Sequence, residues 1–262
     1  MVNLPYGALI SPTDGKYFIE KYRAVVAPSA NVFVTCTELA RAKARPGPER
    51  LLSVGNPHFA HRQFPELQAL PAANMEAEAV AASYGAVPLL GAQAQEREVR
   101  AAMSSAEVIH LASHYVINEQ SPMLSSLLLA EEPRQAAGQH DADGQLQAFE
   151  VYGMKLPRTR LVVLSACQTG VERSYQGEGA IGFARAFISA GAPLVVARFW
   201  PVDSDATTEL MIKFHQNRKL ARLSSAEALR QAQLDMLKDR DAAKRRPYAW
   251  ASFVVIGGFA DF

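Results

Sequence analysis

The tightest constraint on this chain is the run LVVL at residues 161–164, which leads straight into Ser165-Ala166-Cys167-Gln168-Thr169-Gly170. An apolar run bounded by small and polar turn residues reads as a buried strand. Comparable runs recur at residues 108–113, 194–199 and 251–256, with helical segments between them. Strands alternating with helices predict an α/β fold with a mainly parallel sheet covered on both faces. In such sheets the chemistry collects beyond the carboxyl ends of the strands. Two reactive side chains reach that edge: Cys167 after the 161–164 strand and His114 after the 108–113 strand. A neutral imidazole near a thiol takes its proton and leaves a nucleophilic thiolate, so the two form a candidate pair.

The remaining chain is read in order. Residues 16–20 and 22–27 predict a β-hairpin within an N-terminal β region, 1–35. Pro28-Ser29 offers a helix cap, and residues 35–44 predict a helix stopped by Arg45-Pro-Gly-Pro48. Residues 51–55 form a short buried strand, 58–70 an irregular surface loop, and 72–84 an amphipathic helix. A strand at 87–90 and a helix at 95–104 lead to the His114 strand. Residues 124–130 predict a strand and 131–144 a loop open to cleavage. Helices follow at 145–154, 180–190, 204–217 and 225–239, the third capped by Asp203.

Composition bounds the rest. A chain of 262 residues, 49% hydrophobic and 20% charged, suits one α/β domain over 1–262 that needs no staples. The net charge of +1 gives no global field for nucleic acid or an anionic membrane, so neither is expected as a partner. Nothing pairs Cys36 with Cys167, and sparse cysteine fits a reducing compartment. The N-terminus shows no basic segment followed by an apolar one, and no run of about eighteen apolar residues appears. The expectation is a cytoplasmic protein.

Three motifs carry competing readings. His110 and His114 have the i, i+4 spacing of a helical zinc pair, but on a strand they lie roughly 13 Å apart and cannot share a metal. No metal site is expected, and His110 reads as a satisfied core histidine. Gly177-Glu-Gly179-Ala-Ile-Gly182 fits G-x-G-x-x-G, yet the dinucleotide fingerprint needs its glycines directly after a strand. Here residues 166–176 intervene, so the structural reading is that Gly179 and Gly182 allow close helix packing. Asp203 and Asp205 read either as helix-capping acids or as an acidic subsite for a basic substrate side chain.

Taken together, VIHLASH ending at His114, SACQTG around Cys167, GEGAIGFARAFISAGAPLVVARFW and PVDSDAT resemble the CHAT domain, among the caspase-like cysteine peptidases related to separases and metacaspases. The opening LPYGALIS with KYFIEKYRAVVAPSA and the closing PYAWASFVVIGG extend the resemblance over nearly the whole chain. The separation of the two site residues, 167 − 114 = 53, matches a caspase-type spacing of about fifty. The resemblance implies a caspase-like three-layer αβα sandwich and a cysteine endopeptidase without a cofactor. It assigns Cys167 as nucleophile, His114 as general base and acid, and the backbone N–H groups of Cys167 and Tyr115 as oxyanion donors. It further implies a protein or peptide substrate, cleavage after a basic residue met by Asp203 or Asp205, and control by a partner or by processing near Arg134. Tyr115 stands where the family carries glycine, and a positive φ there would strain it. Two other readings stay open: a catalytically inactive interaction module on the same fold, and a nucleotide-binding protein using Gly177 to Gly182.

Overall fold

The computed structural model describes residues 4–131, 142–165, 167–168 and 179–262, with 167–168 and 179–181 described by their backbone alone. Glu20 decides the first local structure. Its Oε1 accepts from the Tyr17 N–H at 2.8 Å, and Phe18–Lys21 winds into a short helix, α1. The hairpin expected in this region is thereby reduced to one antiparallel bridge between Ile10 and Tyr17. Val25–Val26, β1, is extended, but its partners are Val255 and Ile256 from the far end of the chain, in parallel register. No local pattern signals such a partner. Ser29 caps α2, Ala30–Lys43, by accepting from the Val32 N–H at 3.2 Å. The helix starts directly at this cap rather than at residue 35, because β-branched Val32 and Val34 lower helix propensity only slightly.

Beyond α2 the order is β2 (Leu51–Pro57), α3 (Pro71–Tyr84), β3 (Leu89–Gly91), α4 (Glu96–Met103), β4 (Val108–Ala112), β5 (His114–Val116) and β6 (Ser126–Leu128). There follow β7 (Gln145–Gln147), α5 (Ala148–Gly153), β8 (Leu161–Leu164), β9 (Cys167–Gln168), α6 (Gly179–Ser189) and β10 (Leu194–Arg198). The chain closes with α7 (Ser204–Lys219), α8 (Ser225–Leu237), α9 (Pro247–Trp250) and β11 (Phe253–Gly257).

The main sheet runs β1-β11-β10-β8-β4-β2-β3, and every neighbouring pair is parallel except β10 with β11. Alternate residues of each strand enter opposite cores. Val162, Leu164 and Val195 pack with Val99 and Met103 of α4 and with Phe183 and Phe187 of α6. Leu161, Val163 and Val196 pack with Leu210 and Phe214 of α7 and Leu229 of α8. Helices therefore cover both faces, giving the three layers the sequence predicts. Each fully buried side chain of this size contributes about 1.5–3 kcal/mol.

In the second sheet, β7-β6-β5-β9, β6 falls within the strand expected at 124–130, while the sheet itself is not expected from the sequence. Residues 145–147, expected to open a helix, are instead β7, antiparallel to β6. The helix waits until Ala148, where Glu150 Oε2 accepts from the Gln147 N–H at 2.8 Å. The expected 131–144 loop falls, over 132–141, outside the described residues.

One close approach places α3 against β2. A Cβ built on Gly55 meets the Ala73 carbonyl oxygen and the Ala77 Cβ at 2.5 Å each. Ser53 Oγ, two residues earlier, donates to the Ala77 carbonyl at 2.9 Å. Gly55→Ala forces helix and strand apart, and overpacking of this kind costs about 1–3 kcal/mol. The expected outcome is a lower urea midpoint with an unchanged m-value; a midpoint equal to wild type would show that α3 docks without this contact.

Candidate functional site

Two strands build the site. β4 and β8 are parallel neighbours, in register from Val108↔Leu161 to Leu111↔Leu164, so their carboxyl ends reach one edge together. Ser113 breaks β4 there, with its buried Oγ donating to the Leu128 carbonyl. Past the break the two chains pair again in the second sheet, still parallel, with His114↔Cys167 and Tyr115↔Gln168. Neighbouring strands lie about 4.8 Å apart. The two residues the sequence nominates are thus backbone neighbours across one ladder.

The His114 side chain is 3% exposed and held on two sides by the 58–70 segment. Its Nε2 lies 2.7 Å from the Gln68 carbonyl oxygen, and the Phe59 ring meets it edge-on at 5.1 Å between centroids. A carbonyl only accepts, so Nε2 carries the proton, and in the neutral ring Nδ1 carries the lone pair. Burial pushes the imidazole pKa below its ordinary value, and the Gln68 contact offsets only part of that. At neutral pH the ring is therefore a base. The segment is itself tied down by Asn56 at the end of β2. Its Oδ1 accepts from the Leu70 N–H at 2.7 Å, and its φ of 46° is a left-handed conformation that asparagine tolerates better than most residues. Sequence reading treats 58–70 as surface loop and finds no orienting group for the histidine. The Gln68 group is a backbone carbonyl, which no side-chain pattern reveals.

Tyr115 is not strained. Among the described residues only Asn56 and Arg222 combine a side chain with positive φ. The Tyr115 ring turns into the core against Phe183 at 5.2 Å, and burial pushes its hydroxyl pKa up to about 12. Asp203 caps α7, its Oδ1 accepting from the N–H groups of Asp205 (3.0 Å) and Ala206 (3.2 Å), and both acids are exposed. No contact joins either acid to His114 among the described residues. Their helix start nevertheless sits at the site's edge: Ser204 lines a cavity of about 20 Å³ with Ser165, Glu76 and Arg198. The buried Arg198, whose Nη1 donates to Thr207 Oγ1 at 3.3 Å, is a cation the sequence reading did not place there.

This arrangement has known relatives. The CHAT domain model matches residues 1–258. The chain belongs to the CHAT domain family. It is 26% identical over 294 aligned positions to tetratricopeptide repeat protein 28 of Homo sapiens, and 24% identical to that of Mus musculus. These alignments cover 97% of this chain but 11% and 12% of the relatives, so the chain spans about a tenth of their length. Among solved structures, the Saccharomyces cerevisiae separase–securin complex matches with a TM-score of 0.55 at 13% identity, covering 91% of this chain and 14% of that one. The complex of Porphyromonas gingivalis RgpB pro- and mature domains matches with a TM-score of 0.50 at 8% identity, covering 84% and 51%. At such identities the likeness establishes the fold, which is that of the caspase-like cysteine peptidases.

Elsewhere the CHAT domain settles the other motifs. His110 belongs to a buried chain of hydrogen bonds. Arg218, a donor only, gives a hydrogen bond to Tyr84 Oη at 2.8 Å. Tyr84 Oη in turn lies 3.0 Å from His215 Nδ1, and His215 Nε2 lies 3.2 Å from His110 Nδ1. His110 Nε2 is left 3.0 Å from Glu76 Oε1, at ion-pair distance but without hydrogen-bond alignment. So His110 is a core histidine, satisfied at one nitrogen. Of the glycine motif, Gly177 lies outside the described residues, while Gly179 and Gly182 lie within α6. A Cβ on Gly182 meets nothing within 4 Å among the described residues, which show no close packing there. Cys36 is a free buried thiol whose pKa burial raises. Among the described residues there is no cluster of three or more metal-ligating side chains, and no helix long and apolar enough to cross a membrane.

Two outcomes follow from these contacts. Asn56→Ala removes the tie on the 58–70 segment; the His114 pKa, read by NMR, is expected to rise toward its ordinary value as water enters, whereas Asn56→Asp keeps the acceptor and the low pKa. An unchanged pKa in the alanine variant would separate Asn56 from the histidine. The second concerns stability. Burial, with His110 and Arg218 adding to it, holds the His215 pKa well below 6.5. Below pH 6.5 the unfolded chain takes up a proton that the folded one refuses, so stability is full above that pH and lost as pH falls. The slope is about 1.4 kcal/mol per pH unit for each such proton. Urea midpoints measured down to pH 5 are expected to fall in wild type, with a shallower slope in His215→Gln; equal slopes would count against the assignment.

Proposed function

We propose that this CHAT domain is a cysteine endopeptidase acting through His114 and Cys167. The observation that carries the reading is the parallel register His114↔Cys167, with His114 Nε2 held by the Gln68 carbonyl and the basic nitrogen at Nδ1. In the proposed reaction His114 removes the Cys167 thiol proton, and the thiolate adds to the scissile carbonyl carbon. The resulting oxyanion rests on the backbone N–H groups of Cys167 and Tyr115; donors of this type contribute about 3 kcal/mol each. His114 then delivers the proton to the leaving amine as the C–N bond breaks. Water, deprotonated by the same imidazole, hydrolyses the thioester and restores the thiol.

Asp203 and Asp205, exposed at the start of α7, support a basic residue on the acyl side of the cleaved bond. Asp203 uses one carboxylate oxygen for its cap contacts, so capping and substrate binding are compatible. Arg198 nearby is buried and bound to Thr207, which leaves the exposed face of this edge to the acids. The matching separase structure is a complex with securin, and this supports control of the present domain by a protein partner.

One feature favours a competing reading, a module that binds without cleaving: Tyr115 occupies the position after the histidine and its ring is built into the core. A fluorogenic peptide library assayed with wild type, Cys167→Ala and His114→Ala decides between them. Turnover by wild type that falls at least about a thousand-fold in either variant is expected, with arginine or lysine preferred before the cleaved bond. Absence of turnover, together with failure of an electrophilic peptide to label Cys167 in a His114-dependent way, would leave the binding module.

A further inference from the structure

We infer that the small cavity at the carboxyl end of β8 binds one ordered water molecule, and that this water ties Ser165, two residues before Cys167, to Glu76 of α3. The cavity has a volume of about 20 Å³, and its wall includes Ser165, Glu76, Arg198, Ser204, Thr207 and Thr208. A bound water needs about 10–15 Å³ of such space and two to four polar partners. The volume therefore admits one water and no substrate side chain or metabolite.

Ser165 is 7% exposed and Glu76 2% exposed. Ser165 Oγ and Glu76 Oε1 each have no hydrogen-bond partner among the described residues. Glu76 Oε2 is met by Thr208 Oγ1 at 3.4 Å, while His110 Nε2 stands 3.0 Å from Oε1 without hydrogen-bond alignment. A buried hydroxyl or carboxylate oxygen left unmet is costly, and one shared water serves both. Charge selects the occupant. The Glu76 carboxylate and the guanidinium of the buried Arg198 share the wall, and Arg198 Nη1 donates to Thr207 Oγ1 at 3.3 Å. A cation is repelled by the guanidinium and an anion by the carboxylate, whereas a neutral molecule that both donates and accepts suits the two. The water gives Ser165 a second anchor. Its N–H already donates to the Leu111 carbonyl of β4 at 3.0 Å. With Oγ held through the water to α3, the chain leaving β8 is fixed on two sides as it runs toward Cys167. Ser165 is thereby a positioning residue for the thiol, and Glu76 shares that role. This role bears on catalysis only if Cys167 is the nucleophile proposed above; the water site does not depend on that reading.

A crystal structure of the intact chain at atomic resolution is expected to show one water within hydrogen-bond distance of both Ser165 Oγ and a Glu76 carboxylate oxygen. A direct Ser165–Glu76 hydrogen bond, or no water touching both, would overturn the site. The positioning role is read from the rate at which iodoacetamide alkylates Cys167, followed by mass spectrometry of the Cys167 peptide, in wild type, Ser165→Ala, Glu76→Ala and the double variant. Each single change is expected to alter the rate at least about threefold, and the double variant to match the more affected single, because both break one bridge. Effects that multiply in the double variant, or a Ser165→Ala rate equal to wild type, would overturn the role. Should Glu76→Ala fail to fold, Ser165→Ala against wild type still decides. His114→Ala is alkylated alongside: a rate unchanged there counts against the peptidase reading and leaves the Ser165 comparison standing.

Discussion

The parallel ladder between β4 and β8 is the contact on which the rest of this molecule depends. It aligns two strands that are far apart in sequence, from Val108↔Leu161 to Leu111↔Leu164, and it continues after a break into His114↔Cys167. A slip of one residue would send every side chain of β8 to the wrong face and misplace Cys167 against Ser113 or Tyr115. The two cores prevent that slip. Val162 and Leu164 face α6, while Leu161 and Val163 face α7, and all four are buried. Hydrophobic burial thus sets the register, and the register brings His114 beside Cys167.

Among the described residues, a backbone carbonyl rather than a carboxylate positions the histidine. Asn56 ties down the 58–70 segment, Gln68 offers its carbonyl, and Phe59 seals one side. An acidic partner would favour the imidazolium, whereas a carbonyl in a buried setting selects a tautomer and leaves the ring neutral. Chemistry that needs a base at neutral pH is served by the second arrangement.

The far side of the sheet holds a different kind of polarity. Glu76, His110, His215, Tyr84, Arg218 and Glu49 form a buried polar chain between α3, β4, α7 and the approach to β2. Glu49 anchors one end: burial opposes its charge, but Arg218 and Arg160 win and hold its carboxyl below the usual range. Buried networks of this kind specify which helix face meets which strand, because any other docking strands a donor in an apolar core. The Gly55 contact with Ala73 and Ala77 lets α3 come close enough to take part.

Where β strands are continuous apolar runs, as at 161–164 and 194–198, burial on both faces leaves its mark on residue type, and the α/β class and mainly parallel sheet could be read directly. Cys167 and His114 could be nominated for the same reason, since each follows such a run. Local capping was equally legible at Ser29 and Asp203, whose contacts span only a few residues. Other features depend on partners distant in the chain. β1 extends because β11 is there to pair with it, and β7 and β9 are strands only because β5 and β6 stand between them. Gln68 acts through a backbone carbonyl, whose position no residue type encodes. The sequence by itself determined which strands are buried and which side chains stand at their ends; the tertiary structure alone decided which of those ends meet, because strand pairing is made by backbone groups that every residue shares.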